Sequence, residues 1–309
     1  MKVLFLDSVH EVLEQRLVRL GCECTHDYQT AKDSIDMNGV QGIVIRSRFT
    51  LDKEFLSKCT DLKFIARSGS GLENIDLKAC EDLGIKVFNS PEGNRTAVGE
   101  HAIGMLLMLA NNLKNADEEV RNYQWLREEN RGWELEGKTV GIIGHGMMGS
   151  ALSQRLKGFG CKVLAYDKYQ TLTNLDGVEQ VEMQRIFDEA DIVSLHVPLN
   201  EETKYLAKDT WFNSFKKSIV LINTSRGLVV SLSALLEAMN TGKVLGACLD
   251  VLEYEETSFE KIHLNQGVFN ALKERKDVLF SPHVAGWTKE SYIKLSSFLA
   301  DKIENEFFN

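Results

Sequence analysis

The sequence predicts an α/β protein built from two doubly wound parallel sheets. Short runs rich in Val, Ile and Leu alternate with longer helix-like stretches, the pattern of repeated strand–helix–strand units. The runs are continuously apolar rather than alternating, as in parallel strands buried on both faces. They also fall into two sets, and 309 residues is a length suited to two domains of ~100–200 residues each. The first set is Val3–Leu6, Gly42–Ile45, Phe64–Ala66 and Val87–Phe88, with a weaker strand around Cys22–Tyr28. The second is Val140–Ile143, Val163–Tyr166, Ile192–Leu195, Ile219–Ile222, Ala247–Val251 and Val278–Phe280.

Between the sets, Ala97–Asn122 carries Ile103, Met105, Leu106, Leu107 and Leu109 at a density that predicts a buried helix. Asn122–Glu136 mixes Trp125 and Trp133 with Arg127, Glu128, Glu129 and Arg131, which suits an exposed excursion or a subunit contact. No Gly/Ser-rich tether joins the sets, so the two lobes are expected to face each other across a cleft. Each of the three prolines, Pro91, Pro198 and Pro282, follows a predicted strand, where an open α/β sheet places its ligands.

Composition excludes several classes. A net charge of −9 argues against a general nucleic-acid surface, though a few arginines in a cleft can still hold a small anion. No apolar stretch reaches the ~18 residues of a membrane span. The opening MKVLFLDSVHEVLEQ lacks a long apolar region and a small-residue cleavage site, and reads as a first strand. Cys22, Cys24, Cys59, Cys80, Cys161 and Cys248 show no metal-site spacing and are expected to be reduced thiols. A cytoplasmic enzyme without a metal is the expectation.

The most informative segment is Thr139–Gly149, in which a strand runs into Gly144-His145-Gly146-Met147-Met148-Gly149 and then a helix. Gly144 makes the tight turn, Gly146 admits a pyrophosphate against the backbone, and Gly149 lets the helix pack close to the sheet. The helix N-terminus offers N–H groups and a positive dipole end to phosphates. A second strand ends in Asp167, placed to accept from ribose hydroxyls and to repel a 2′-phosphate. That favours NAD over NADP, with the adjacent Lys168 pulling the other way. An S-adenosylmethionine site also uses a glycine turn and an acid, but would leave the rest of the chain unexplained.

Later strand ends carry further chemistry. Oxidising a secondary alcohol needs a base for the hydroxyl proton, a cation for a carboxylate and a hydride acceptor beside the reacting carbon. Arg226 follows Ile222-Asn-Thr-Ser, Asp250 ends the next strand ahead of Glu253, Glu255 and Glu256, and His283 follows Ser281-Pro282. Taken singly, each could be a turn arginine, a solvated acidic loop or a structural histidine.

Together, Arg67-Ser-Gly-Ser-Gly71-Leu-Glu-Asn-Ile-Asp76, Gly144–Gly149, His196-Val-Pro-Leu199, Asn223-Thr-Ser-Arg226-Gly227 and Pro282-His283-Val-Ala-Gly286 resemble the D-isomer-specific 2-hydroxyacid dehydrogenases, in that family's order from about residue 40 to 290. The resemblance implies a Rossmann NAD domain over 97–285 and a flavodoxin-like substrate-binding cap over 1–96 and 286–309. It implies Arg226 as the group that binds and polarises the substrate, His283 as general acid/base and Glu255 as its paired carboxylate. A carboxylate there fixes the ring and favours the imidazolium. It also argues against the formate dehydrogenase branch, which has an amide at that position.

The resemblance further implies that Ser68, Gly69, Ser70 and Gly71 cradle the substrate carboxylate, with Asn94 near the hinge. His196, Val197, Pro198, Thr203, Thr224, Ser225, Asp250 and Gly286 join the glycine turn as the NAD site. The chain departs from the family pattern after Glu255, where Glu256 and about twenty extra residues, Thr257–Lys276, replace the usual proline.

Arg46-Ser-Arg48 and Arg67 end cap strands, and guanidiniums there suit a substrate with a phosphate. Within the family this pattern most resembles the members that oxidise 3-phosphoglycerate, the entry step to serine synthesis. Arg127 is a further candidate contact, from a partner subunit. The chain closes at Asn309 without a regulatory domain, so no serine feedback is expected. The alternatives are a glyoxylate/hydroxypyruvate or D-lactate reductase, and a non-enzymatic NAD-sensing corepressor-like scaffold. A homodimer formed through Ala97–Glu136 is expected.

Overall fold

The computed structural model describes residues 1–171, 176–255 and 266–308. They form two compact units, one of Met1–Arg95 with Trp287–Asn309 and one of Thr96–Glu255 with Ile262–Gly286, each in its described part. Each is built on a single parallel sheet.

The first sheet contains β1 (Lys2–Phe5), β2 (Glu23–His26), β3 (Gly42–Ile45), β4 (Phe64–Arg67) and β5 (Lys86–Phe88), in the order β2-β1-β3-β4-β5. This is the flavodoxin-like order. One face packs Phe5, Val44 and Phe64 against Leu13 and Leu17 of the helix Val12–Arg19 and Leu299 and Ile303 of the helix Lys289–Phe307. The other packs Ile43, Ile45 and Ile65 against the short helices Lys53–Ser57 and Leu77–Asp82. Both short helices start on an aspartate that accepts a backbone N–H three residues on, Asp52 from Phe55 and Asp76 from Ala79.

The second sheet contains β6 (Thr139–Ile143), β7 (Lys162–Tyr166), β8 (Val178–Gln180), β9 (Ile192–Leu195), β10 (Ile219–Asn223), β11 (Val244–Leu249) and β12 (Val278–Phe280). Its order is β12-β11-β10-β9-β6-β7-β8, all parallel. The order reverses between β6 and β9, and such a switch point opens the crevice where a doubly wound sheet takes its ligand. Every residue of β6, β9 and β10 is buried, which is why these strands read as unbroken apolar runs. Ala102, Leu106 and Ala110 of the helix Pro91–Ala110 cover one face with Leu152 and Leu156, while Trp211, Phe212, Phe215 and Leu235 cover the other.

Three expectations change in detail. The strand β8 was not predicted, because an exposed glutamate between two half-buried residues at a sheet edge makes no apolar run. The helix expected over Ala97–Asn122 starts earlier, at Pro91, and is divided. Asn112 takes φ 51, a left-handed turn that asparagine tolerates, and a second helix runs Leu113–Arg121. The excursion Asn122–Glu136 is also split in character. Tyr123 and Trp125 are 100% and 77% exposed, but Trp133 packs on the helix-covered core face, with its N–H on the carbonyl of Ala110 at 3.0 Å, and Leu135 is buried.

Residues 257–265 of the Thr257–Lys276 insertion lie outside the described residues, as does Glu256; its later part includes the helix Gln266–Lys273. Among the described residues, no helix is long and apolar enough to cross a membrane, and no group of three His, Cys, Asp or Glu could hold a metal ion.

Candidate active site

Three of the predicted residues follow neighbouring strands, Arg226 after β10, Glu255 after β11 and His283 after β12, and the last two meet. His283 Nδ1 lies 2.6 Å from Glu255 Oε2, and the other oxygen of Glu255 accepts the N–H of Leu252. The carboxylate is therefore aimed by its own loop, and the imidazole is aimed by the carboxylate. Both side chains are mostly shielded from water, at 24% and 15% exposure, where an ion pair or charge-assisted hydrogen bond is less screened than at the surface. Glu255 thus occupies the place beside His283 despite the unusual sequence that follows it.

Arg226 follows β10 in a turn held by Asn223, whose Oδ1 accepts from Ser225 N (3.0 Å) and Ser225 Oγ (2.7 Å), and whose Nδ2 donates to the carbonyl of Arg226 (3.0 Å). The next residue fixes this turn against the Glu255 loop. A Cβ on Gly227 would fall 1.9 Å from the carbonyl oxygen of Leu252, so only glycine lets the two backbones touch. Ser225, predicted as a cofactor contact, spends its hydroxyl on this turn.

Asp250 has a role that its sequence position did not reveal. It is 1% exposed and holds the loop that carries His283. Oδ1 accepts from Ser281 Oγ (2.6 Å) and Val284 N (2.9 Å), Oδ2 from Ala285 N (2.9 Å), and the Asp250 carbonyl from His283 N (2.7 Å). These bonds enforce a left-handed conformation at His283, φ 54. Such a backbone is uncommon outside glycine, and it persists where surrounding contacts over-determine it. His101 completes the network from the helix Pro91–Ala110, with Nε2 at 2.9 Å from Ser281 Oγ and 3.6 Å from Asp250 Oδ1. Nothing in the sequence marked His101, which stands next to Glu100 where the helix turns from polar to apolar.

The glycine turn sits at the switch point after β6. Gly144 has φ +86, and a Cβ there would meet the His196 carbonyl at 2.5 Å; a Cβ on Gly149 would meet the Gly144 carbonyl at 2.1 Å. Gly146 has open space where its Cβ would be and caps the helix Met147–Leu156 without any side-chain hydrogen bond. Asp167 Oδ2 accepts the N–H of His145 at 2.9 Å, tying the acid after β7 to the turn. His145 Nε2 is 3.0 Å from Ser153 Oγ, and burial pushes its imidazole down.

A dinucleotide fits this arrangement. Gly146 leaves room for a pyrophosphate beside an uncapped helix start. Two predicted wall residues also keep buried polar atoms without a partner among the described residues, His196 Nδ1 and Thr224 Oγ1, which suits a polar ligand completing the site. Burial pushes His196 down to about 3, leaving a neutral ring whose Nε2 is 2.8 Å from Ser194 Oγ. Thr203 differs, since its hydroxyl donates to the Pro198 carbonyl at 2.6 Å and accepts from Asn200 N at 2.9 Å, which shapes the Pro198–Thr203 turn.

The substrate-binding candidates lie in the first unit. The loop Ser68–Gly71 is anchored by Ser90 N on the Gly69 carbonyl (2.9 Å), Asn89 Nδ2 on the Ser70 carbonyl (2.7 Å) and Ser70 Oγ on Asn94 Oδ1 (2.7 Å). Among the described residues, no backbone carbonyl takes the N–H of Ser70 or Gly71. Arg67 is buried beneath this loop, and a Cβ on Gly69, φ +151, would fall 1.6 Å from its Nη1. Arg46 stacks its guanidinium on Trp287, 4.4 Å from the ring centroid. Arg48 is used structurally, donating to the carbonyls of Leu6 (3.3 Å) and Asp27 (2.5 Å). Asp7, not singled out in the sequence, gathers the N–H groups of Arg46, Ser47 and Arg48 on one oxygen at 2.7, 3.1 and 3.2 Å.

Comparison with known proteins agrees with this architecture. Residues 103–285 match the family model described as D-isomer specific 2-hydroxyacid dehydrogenase, NAD binding domain. The chain is 32% identical over 309 residues to D-3-phosphoglycerate dehydrogenase of Archaeoglobus fulgidus, covering 99% of this chain but 57% of that protein's length. It is 34% identical to hydroxypyruvate reductase of Thermotoga maritima, covering 86% of this chain and 85% of the relative. The crystal structure of D-lactate dehydrogenase from Aquifex aeolicus complexed with NAD and lactic acid superposes with a TM-score of 0.84 at 28% identity, covering 98% and 94% of the two chains. The chain belongs to the D-isomer specific 2-hydroxyacid dehydrogenase family, and its second unit carries that family's NAD-binding domain.

Proposed function

We propose that this chain is an NAD-dependent dehydrogenase that interconverts a D-2-hydroxy acid and its 2-oxo acid, with 3-phosphoglycerate as the hydroxy acid. The 2.6 Å contact between His283 Nδ1 and Glu255 Oε2 carries the reaction class. With Nδ1 engaged by a carboxylate, Nε2 is the nitrogen that exchanges a proton with substrate. In oxidation it takes the hydroxyl proton, and Glu255 stabilises the imidazolium that forms. Arg226 holds the carboxylate and polarises the C2 oxygen. In reduction the same proton returns from Nε2 to the 2-oxo oxygen. The nicotinamide, when bound, accepts or supplies the hydride at C2.

We assign residues 97–285 to cofactor binding, and residues 1–96 with 286–309 to a substrate-binding cap. There the Ser68–Gly71 loop receives the substrate carboxylate and Asn94 orients Ser70. Arg46 and Arg67 supply the positive charge for a phosphate. A second reading, an unphosphorylated hydroxypyruvate or glyoxylate substrate, is favoured by Arg48, whose guanidinium is already spent on backbone carbonyls. An NADH-coupled assay over phosphorylated and plain 2-oxo acids separates the two. Turnover of the plain acids with no response to 3-phosphohydroxypyruvate would sink the phosphate reading.

We also assign the Ala97–Glu136 region to a homodimer contact, on the strength of exposed Met108, Leu113, Val120, Tyr123, Trp125 and Leu126. Light scattering on Trp125→Asp, which should dissociate such a dimer, tests this. A reducing, cytoplasmic setting is supported by six free cysteines.

A further inference from the structure

Asp167 is fixed after β7 by three backbone donors, His145 N on Oδ2 and Tyr169 N (3.0 Å) and Gln170 N (3.1 Å) on Oδ1. The two side chains that follow it are also held. Lys168 Nζ lies 2.8 Å from Glu202 Oε2, and the Tyr169 hydroxyl donates to that same oxygen. Lys168 Nζ is in addition 5.3 Å from the centroid of the Tyr169 ring. Glu202 comes from the turn after β9, where Asn200 Oδ1 accepts its N–H and that of Thr203, each at 3.0 Å. Glu202 is thus planted by a backbone turn and reaches across to the segment that follows the ribose acid.

We propose that Glu202 is a cofactor-specificity residue, engaging Lys168 so that its ammonium is not available to a 2′-phosphate, and the site prefers NAD(H) to NADP(H). The inference rests on the dinucleotide reading of the glycine turn. A lysine directly after the ribose acid is the feature that would otherwise favour the phosphorylated cofactor, because a nearby cation accommodates a 2′-phosphate. Paired with Glu202, that cation is cancelled. Asp167, Lys168 and Glu202 then sum to one negative charge (−1 + 1 − 1), which a phosphate dianion approaches against repulsion. The mutual effect of the pair has the matching sign, as Lys168 holds Glu202 below the usual carboxylate range and Glu202 raises Lys168. All three side chains are at least half exposed, so the pair adds little to folding and its consequence is local charge.

Fluorescence titration of NADH and of NADPH, without substrate, gives the two dissociation constants. In Glu202→Gln the NADPH-to-NADH ratio should narrow by about twofold to fivefold, the scale of one exposed charge pair. Adding Lys168→Ala to that variant should restore the wide ratio. An unchanged ratio in Glu202→Gln overturns the proposal. A narrowing that survives in the double variant overturns it too, since it would report lost repulsion rather than a released lysine. Failure of the unmodified protein to bind NADH at all would overturn the dinucleotide reading itself, and is distinguishable from both.

Discussion

His283 Nδ1 and Glu255 Oε2 sit 2.6 Å apart although 28 residues separate them in the chain. If this pair is the proton-transfer device, His283→Ala should lower kcat by about 10²–10⁴-fold. The NADH dissociation constant should stay within about threefold, because the imidazole is not part of the glycine turn. Glu255→Gln keeps the shape but loses the charge, and should lower kcat by a smaller factor. The double variant should be little worse than His283→Ala alone, as expected for residues that act as a unit. Fully additive losses in steady-state kinetics would show that the two residues act separately.

Gly227 is where the Arg226 turn meets the Glu255 loop. With a Cβ only 1.9 Å from the Leu252 carbonyl, Gly227→Ala must push two backbones apart. Overpacking of this kind costs about 1–3 kcal/mol. The displaced parts carry Arg226 and Glu255, so kcat/KM for the 2-oxo acid should fall along with the urea midpoint. A variant with wild-type stability and activity would mean that the turn relaxes without cost.

The strands and the glycine turn were legible because their signals are local. An unbroken apolar run means a strand buried on both faces, and both central β-regions read that way. Edges were harder, since β8 has half-exposed residues and nothing periodic to detect. In the site, Arg226, Glu255 and His283 could be placed through motif order at strand ends. Side-chain direction could not. Arg46 and Arg48 look equivalent in sequence, yet one stacks on Trp287 and the other is bound to carbonyls. His101 was invisible for the same reason, because its significance comes from a contact with Ser281, 180 residues away.

Asp250 should matter more for loop geometry than its position at a strand end suggests. Asp250→Asn replaces one acceptor oxygen by an amide that donates, while Ser281, Val284 and Ala285 all present donors. Leaving a buried partner unsatisfied costs about 1–3 kcal/mol. The left-handed turn at His283 would then lose its restraint, so kcat should fall together with stability. Ser281→Ala removes one of the three bonds and should show a smaller version of both effects. A stable Asp250→Asn enzyme with normal turnover would show that the loop holds itself.

The acid limb of stability should depend on His196. A histidine in the unfolded chain titrates near ~6.5, whereas burial pushes folded His196 down to about 3. Below the unfolded value, the unfolded chain binds a proton that the folded ring refuses. The contribution of the neutral ring is therefore complete above about pH 6.5 and is lost as pH falls from there toward 3. The slope approaches about 1.4 kcal/mol per pH unit once the unfolded histidine is protonated. His145, lowered by the same cause, adds in the same direction. Urea unfolding of His196→Gln at pH 7 and at pH 5 should show a shallower loss than the wild type, by on the order of 1–2 kcal/mol across that interval. The glutamine has nothing to protonate, so its remaining acid sensitivity measures what the other groups contribute. An acid loss equal to that of the wild type would mean that the His196 ring is already open to protons in the folded state.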